Sequence, residues 1–198
     1  MASVPFSFSL LLVSFLISWS MATASADQNS SSFIRTSCSR TLYPDLCYSS
    51  LSPYKRQVGD NPVMLARFAM NVTIGSLKPL STYIDSVLQR SAADPSSGAL
   101  KDCKELIGDA IDLVRKSEKE ITGLEVMVGS QVKWRIGNAQ TWLSAGMTNE
   151  GTCVNGFEET GSGGSGEDVE MEVRQKITRA KQLTSNALAL VNSLLNSY

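Results

Sequence analysis

The residues with the most obvious chemical potential are four cysteines, Cys38, Cys47, Cys103 and Cys153, and a run of carboxylates, Asp109, Asp112, Glu118 and Glu120. Free thiols could serve as nucleophiles or metal ligands, and paired carboxylates could serve as general acid and base. Neither chemistry finds its companions. The chain of 198 residues contains no histidine, which removes Ser-His-Asp and Cys-His catalytic sites, imidazole metal ligands and the usual near-neutral proton carrier. No Cys-x-x-Cys pair exists to begin a zinc site. The carboxylates alternate with Lys and Arg along one amphipathic segment, the pattern of a solvated helix face. With 18 basic against 19 acidic side chains the net charge is −1, so no basic footprint for nucleic acid or an anionic membrane is present. A chain without nucleophile, base or metal set is suited to offering a surface, and we expect a binding protein that is not an enzyme and needs no cofactor.

The cysteines acquire a different meaning from the beginning of the chain. Residues 1–26 carry no charge, are mostly apolar from Phe6 to Ile17, and end in Ala24-Ser25-Ala26. This is a secretory signal peptide in pattern, too short to span a bilayer and closed by a small-x-small cleavage site before Asp27. Export to an oxidising compartment makes disulfides the expected state of the four thiols. Three pairings are formally possible. Cys38 and Cys47 flank Tyr43-Pro44, where the chain can turn back, so local closure is easy and the expected pairs are Cys38–Cys47 and Cys103–Cys153. Export also gives meaning to two N-glycosylation sequons, at Asn29 and Asn71, the latter on the flank of an apolar helical stripe.

Positioning these residues falls to helices, because apolar residues recur at a period of 3.6 and alternation at period 2 is scarce. Serine-rich 27–32 reads as a loose leader, followed over 33–52 by two short helices interrupted at Pro44. Asn61-Pro62 opens a long helix that carries Leu65, Phe68, Val72 and Ile84 inward as far as Arg90, with a kink expected at Pro79. A break at Asp94-Pro95-Ser96-Ser97-Gly98 precedes a second helix with Cys103, Ile107, Ala110 and Val114 on one stripe. After Gly123 and Gly129 the third helix runs from about Val132 to Met147 through Ile136, Ala139, Trp142 and Leu143, and is expected to end near Thr148-Asn149-Glu150-Gly151. Residues 161–166 are a Gly/Ser tether before the last helix, about Glu167 to Leu195. The sum is an all-α protein: an up-down-up-down four-helix bundle over 62–198 with an N-terminal helical hairpin over 27–61 and two disulfides. Trp142 falls on the core stripe, whereas Trp134 does not, which makes Trp134 the better anchor for a partner.

The cysteine spacing together with Asp102-Cys103-Lys104-Glu105-Leu106, Asp109-Ala110-Ile111-Asp112, Trp142-Leu143-Ser144-Ala145, Thr152-Cys153 and Gly156-Phe157-Glu158 resembles the plant invertase and pectin methylesterase inhibitor family. The resemblance implies a hairpin on a four-helix bundle, the same two disulfides, secretion to the cell wall (apoplast), and non-covalent one-to-one blockade of the substrate cleft of a pectin methylesterase; the expected oligomeric state is a monomer. Acid invertase is the alternative target. The Pro-Lys-Phe motif frequent among invertase inhibitors is missing, its nearest counterpart being Val132-Lys133-Trp134-Arg135-Ile136, while Trp142-Leu143-Ser144-Ala145 is similar to the pectin methylesterase branch. Gly146-Met147 stands where the family commonly has Ala-Leu. The expected contact residues are Thr148, Asn149 and Glu150 at the polar end of the third helix, with Trp134.

Overall fold

In the computed structural model, residues 28–90, 97–159 and 167–197 are described. The signal segment 1–26, the tether 161–166 and most of the 94–98 break lie outside them. Helix α1 covers 28–38 and α2 Pro44–Leu51, continuing through a 3₁₀ turn into α3, Lys55–Val58. The long helices are α4, Pro62–Arg90, α5, Ser97–Ile121, α6, Ser130–Glu159, and α7, Glu167–Ser193. Among the described residues there is no strand.

Local chemistry sets several boundaries. Asn61 Oδ1 accepts the backbone N–H groups of Val63 and Met64 at 2.9 and 3.0 Å, capping α4 ahead of Pro62. Gly123 and Gly129, with φ of 83° and 86°, supply the left-handed backbone that turns α5 into α6. That turn is then held by Arg135, whose guanidinium donates to the carbonyls of Lys119 and Thr122 and meets Glu120 at 3.6 Å.

Cross-links fix how the long helices run. Arg67 pairs with Glu118 and Asp85 with Lys104, so α4 and α5 are antiparallel. Cys103 joins Cys153 and Ser117 donates to the Ala139 carbonyl, so α5 and α6 are too. Tyr83 meets Glu172 across α4 and α7, again early against late. Each long helix thus packs on two others, in the ring α4, α5, α6, α7. The core between them holds Met70, Leu77 and Ile84 from α4, Ile107 and Val114 from α5, Leu143 and Phe157 from α6, and Ile177 and Val191 from α7.

The structure corrects the reading of the sequence in three places. The serine-rich leader is helical from residue 28, because Ser30, Ile34 and Cys38 fall at i, i+4 and i+8 and are buried together. Helix α6 does not end at Thr148-Asn149-Glu150-Gly151 but continues to Glu159. Two series at seven-residue spacing, Ile136, Leu143, Glu150, Phe157 and Val132, Ala139, Gly146, Cys153, stay buried along it. Cys153 accordingly bridges one helix to another, with Cα atoms 4.6 Å apart, rather than a helix to a loop. Trp142, finally, is only half-buried, with Lys116 Nζ 5.3 Å from its ring centre, and Leu143 takes the core position.

Gly146 faces α5, and a Cβ there would stand 3.6 Å from the Ala110 carbonyl oxygen and 3.7 Å from Leu113 Cβ. Those are ordinary contact distances, so Gly146→Ala should stabilise the protein by about 0.8–1 kcal/mol through helix propensity. A higher Tm in a calorimetric scan is the expected result, and a lower one would show that α5 and α6 need the missing methyl.

The hairpin is closed by Cys38–Cys47, Cα atoms 5.5 Å apart, and by Arg35 stacked 3.9 Å above the centre of the Tyr48 ring. It is fastened to the bundle by Asn186, only 2% exposed. The Asn186 side-chain amide accepts the Tyr43 N–H at 3.1 Å and donates to the Tyr43 carbonyl at 2.9 Å. Asn186→Ala strands both backbone groups, and we expect a loss of about 2 kcal/mol in urea unfolding. Asn186→Asp, which keeps the acceptor alone, should not restore wild-type stability.

Candidate functional site

Three of the four carboxylates that could have formed an acid/base pair are engaged in ion pairs. Glu118 pairs with Arg67 at 3.1 Å, Asp112 with Arg115 at 2.7 Å and Glu120 with Arg135, while Asp109 is exposed. All four cysteines are in disulfides, and no group of His, Cys, Asp and Glu suited to a metal occurs among the described residues.

The most distinctive surface is the outer side of α6. From Ile136 to Phe157 the sequence holds one charged residue, Glu150, and it is 0% exposed. Thr141, Ser144, Thr148, Thr152 and Asn155 face solvent. Three of these hydroxyls are already satisfied inside the helix: Thr141 donates to the Gly137 carbonyl at 2.9 Å, Thr148 to Ser144 at 3.0 Å and Thr152 to Thr148 at 3.1 Å. Such a face loses little on leaving water, because there is no charge to desolvate and the hydroxyl protons keep their partners. Interface centres are depleted in charge for the same reason.

Trp134, 67% exposed, begins the same face, since Trp134, Thr141, Thr148 and Asn155 follow at intervals of seven. Trp134 and Thr148 are thus about 21 Å apart along one side of the helix. Asn149 is half-buried on its flank. Glu150 is a correction: it points into the core, not to a partner, because it occupies the inward series between Leu143 and Phe157. Reasoning from sequence missed Thr141, Ser144, Thr152 and Asn155; the charge-free stretch between Ile136 and Phe157 was the signal that marks them.

Inside the bundle, Glu150 Oε1 lies 2.7 Å from Thr184 Oγ1, which also lies 3.1 Å from the Ala180 carbonyl. Glu150 Oε2 has no hydrogen-bond partner. Burial pushes this carboxyl up to about 7, against the Thr184 hydrogen bond and the charge of Lys181, which pull it down. One hydroxyl proton can serve one acceptor at a time. With Glu150 protonated, Glu150 donates to Thr184 and Thr184 to Ala180, and each donor is used once.

The sequence model of the plant invertase/pectin methylesterase inhibitor family matches residues 32–190. The chain belongs to this family. Relatives within it include pectinesterase inhibitor 9 of Arabidopsis thaliana, 34% identical over 189 residues that cover 93% of this chain and 91% of that protein. The "21 kDa protein" of Daucus carota is likewise 34% identical, covering 93% of this chain and 94% of its own. Among solved structures, a mutant form of a pectin methylesterase inhibitor from Arabidopsis superposes with a TM-score of 0.61 at 18% identity, over 78% of this chain and 92% of that one, a likeness of fold.

Proposed function

We propose that this protein is a secreted, monomeric inhibitor of pectin methylesterase that blocks the enzyme's substrate cleft one-to-one and without a covalent step. The observation that carries the reading is the rigid, uncharged outer face of α6, from Trp134 through Thr148, on a chain whose relatives include proteins named pectinesterase inhibitors. A preformed helical face, with its threonine hydroxyls already bonded, loses little conformational freedom on docking. Residues 1–26 act as the export signal, and residues 27–198 form the inhibitor domain, with the hairpin as its extension. Asn71 and Asn29 are both exposed, as glycan acceptors require.

The test is titration of the purified 27–198 protein against a plant pectin methylesterase. Methanol release should fall to a floor reached at one inhibitor per enzyme, while an acid invertase assayed in parallel keeps hydrolysing sucrose. Undiminished methanol release at excess protein would overturn the proposal, and loss of sucrose hydrolysis alone would redirect it to invertase. Thr148→Glu places a charge in the middle of the face and should weaken inhibition at least about tenfold without changing Tm, because the carboxylate must be desolvated. Equal potency would place the contact elsewhere.

A further inference from the structure

On another side of the bundle, α4 and α7 leave between them a groove of about 290 Å³. Pro79, Leu80 and Tyr83 give it an apolar platform, and Lys176 and Arg179 stand on the α7 side. Two oxygen functions complete it. Pro79 has no N–H, so the carbonyl of Gly75, at the same groove, lacks the helical donor that position 79 would otherwise provide. The hydroxyl-bearing Ser76 is beside it.

The two cations are not equivalent. Lys176 is committed: it pairs with Glu172 at 3.3 Å and lies 5.4 Å from the centre of the Tyr83 ring, while Tyr83 Oη donates to the same Glu172. These three side chains brace one wall. Arg179 is exposed and has no ion pair among the described residues. It also borders a second hollow of about 480 Å³ on the outer side of α7, beside Thr178 and Gln182, whose far end holds Glu170 paired with Arg174 at 3.8 Å. An unpaired guanidinium between two hollows is placed to hold one carboxylate of a ligand that continues in both directions.

We propose that this groove binds an acidic sugar chain, a de-esterified polyuronate. The C–H face of a pyranose ring packs on Pro79 and Tyr83, its hydroxyls reach the Gly75 carbonyl and Ser76, and its carboxylate forms a bidentate pair with Arg179. Because the groove is on α4 and α7, a polymer held there leaves the outer face of α6 open. The polymer would then act as an anchor for the protein in its surroundings.

Affinity electrophoresis in gels containing de-esterified or fully methyl-esterified homogalacturonan tests this without any esterase present, so the outcome is independent of whether the chain inhibits one. The de-esterified polymer should retard the protein and the methyl ester should not. Arg179→Ala should weaken the retardation about fivefold or more, while Lys101→Ala, which removes an exposed charge on α5, leaves it unchanged. No retardation by the acid polymer, retardation equal in Arg179→Ala and wild type, or an equal loss in Lys101→Ala would each overturn the proposal, the last by showing diffuse charge attraction.

Discussion

Replacing Cys103 and Cys153 together by alanine should cost about 4 kcal/mol of stability. The bridge closes 50 residues of sequence, and on the chain-entropy account the denatured ensemble gains roughly that much freedom when such a loop opens. Its position adds to the result. It joins the beginning of α5 to the last third of α6, both sulfurs are almost fully buried, and the α5–α6 turn at the far end is already held by Arg135. Without the bridge, the stretch of α6 beyond Glu150 loses its covalent tie to α5. Denaturant unfolding of the double variant should show the midpoint moving down, and hydrogen exchange should accelerate first over 150–159. Opening Cys38–Cys47, nine residues apart, should cost only about 2.6 kcal/mol by the same relation. A double variant at Cys103 and Cys153 that loses less than the hairpin variant would mean that packing alone sets the α5–α6 geometry.

The second large effect concerns pH. The Glu150 carboxyl is raised to about 7 in the folded protein from an ordinary 4.5. A native state that binds this proton more tightly than the unfolded chain is stabilised where the group is protonated in both states, below about pH 4.5. That contribution disappears as pH rises through about 7. The difference corresponds to about 3 kcal/mol at most, an upper figure because Lys181 lies within reach of the site and water can relax around the charge. Wild-type protein should therefore be more stable at pH 5 than at pH 8. Glu150→Gln, which retains a donor for Thr184 and cannot ionise, should flatten that slope and be the more stable of the two at pH 8. A variant with the wild-type slope would assign the pH dependence to other groups.

Most of the helical framework was legible because its signals are local. Asn61-Pro62 caps α4 through atoms two and three residues away, Gly123 and Gly129 supply the positive-φ backbone of the α5–α6 turn, and Ile107, Ala110 and Val114 repeat within a few residues. The errors came where composition and position disagree. Thr148-Asn149-Glu150-Gly151 has the polarity of a helix end, yet Glu150 and Gly151 are buried, the glycine beneath the Lys181 side chain. Ser30 looks like part of a polar leader until the burial of Ile34 and Cys38 on the same side is seen. Of the candidate face, Trp134 was legible from its place off the core stripe and Thr148 from the polarity around it, and both are exposed. Separating Glu150 from them needed the register of α6, which only the packing against α5 and α7 decides.

The bond between Tyr43 and Asn186 spans 143 residues, which has a consequence for how the molecule is made. The hairpin leaves the ribosome 143 residues ahead of its seat on α7. At ordinary elongation speeds of about 5–20 residues per second, the hairpin waits roughly 7–30 s for Asn186 to be synthesised. Cys38 and Cys47, near enough to join without help from the rest of the chain, can lock its shape during that interval, so that the newborn end arrives at its docking place already folded.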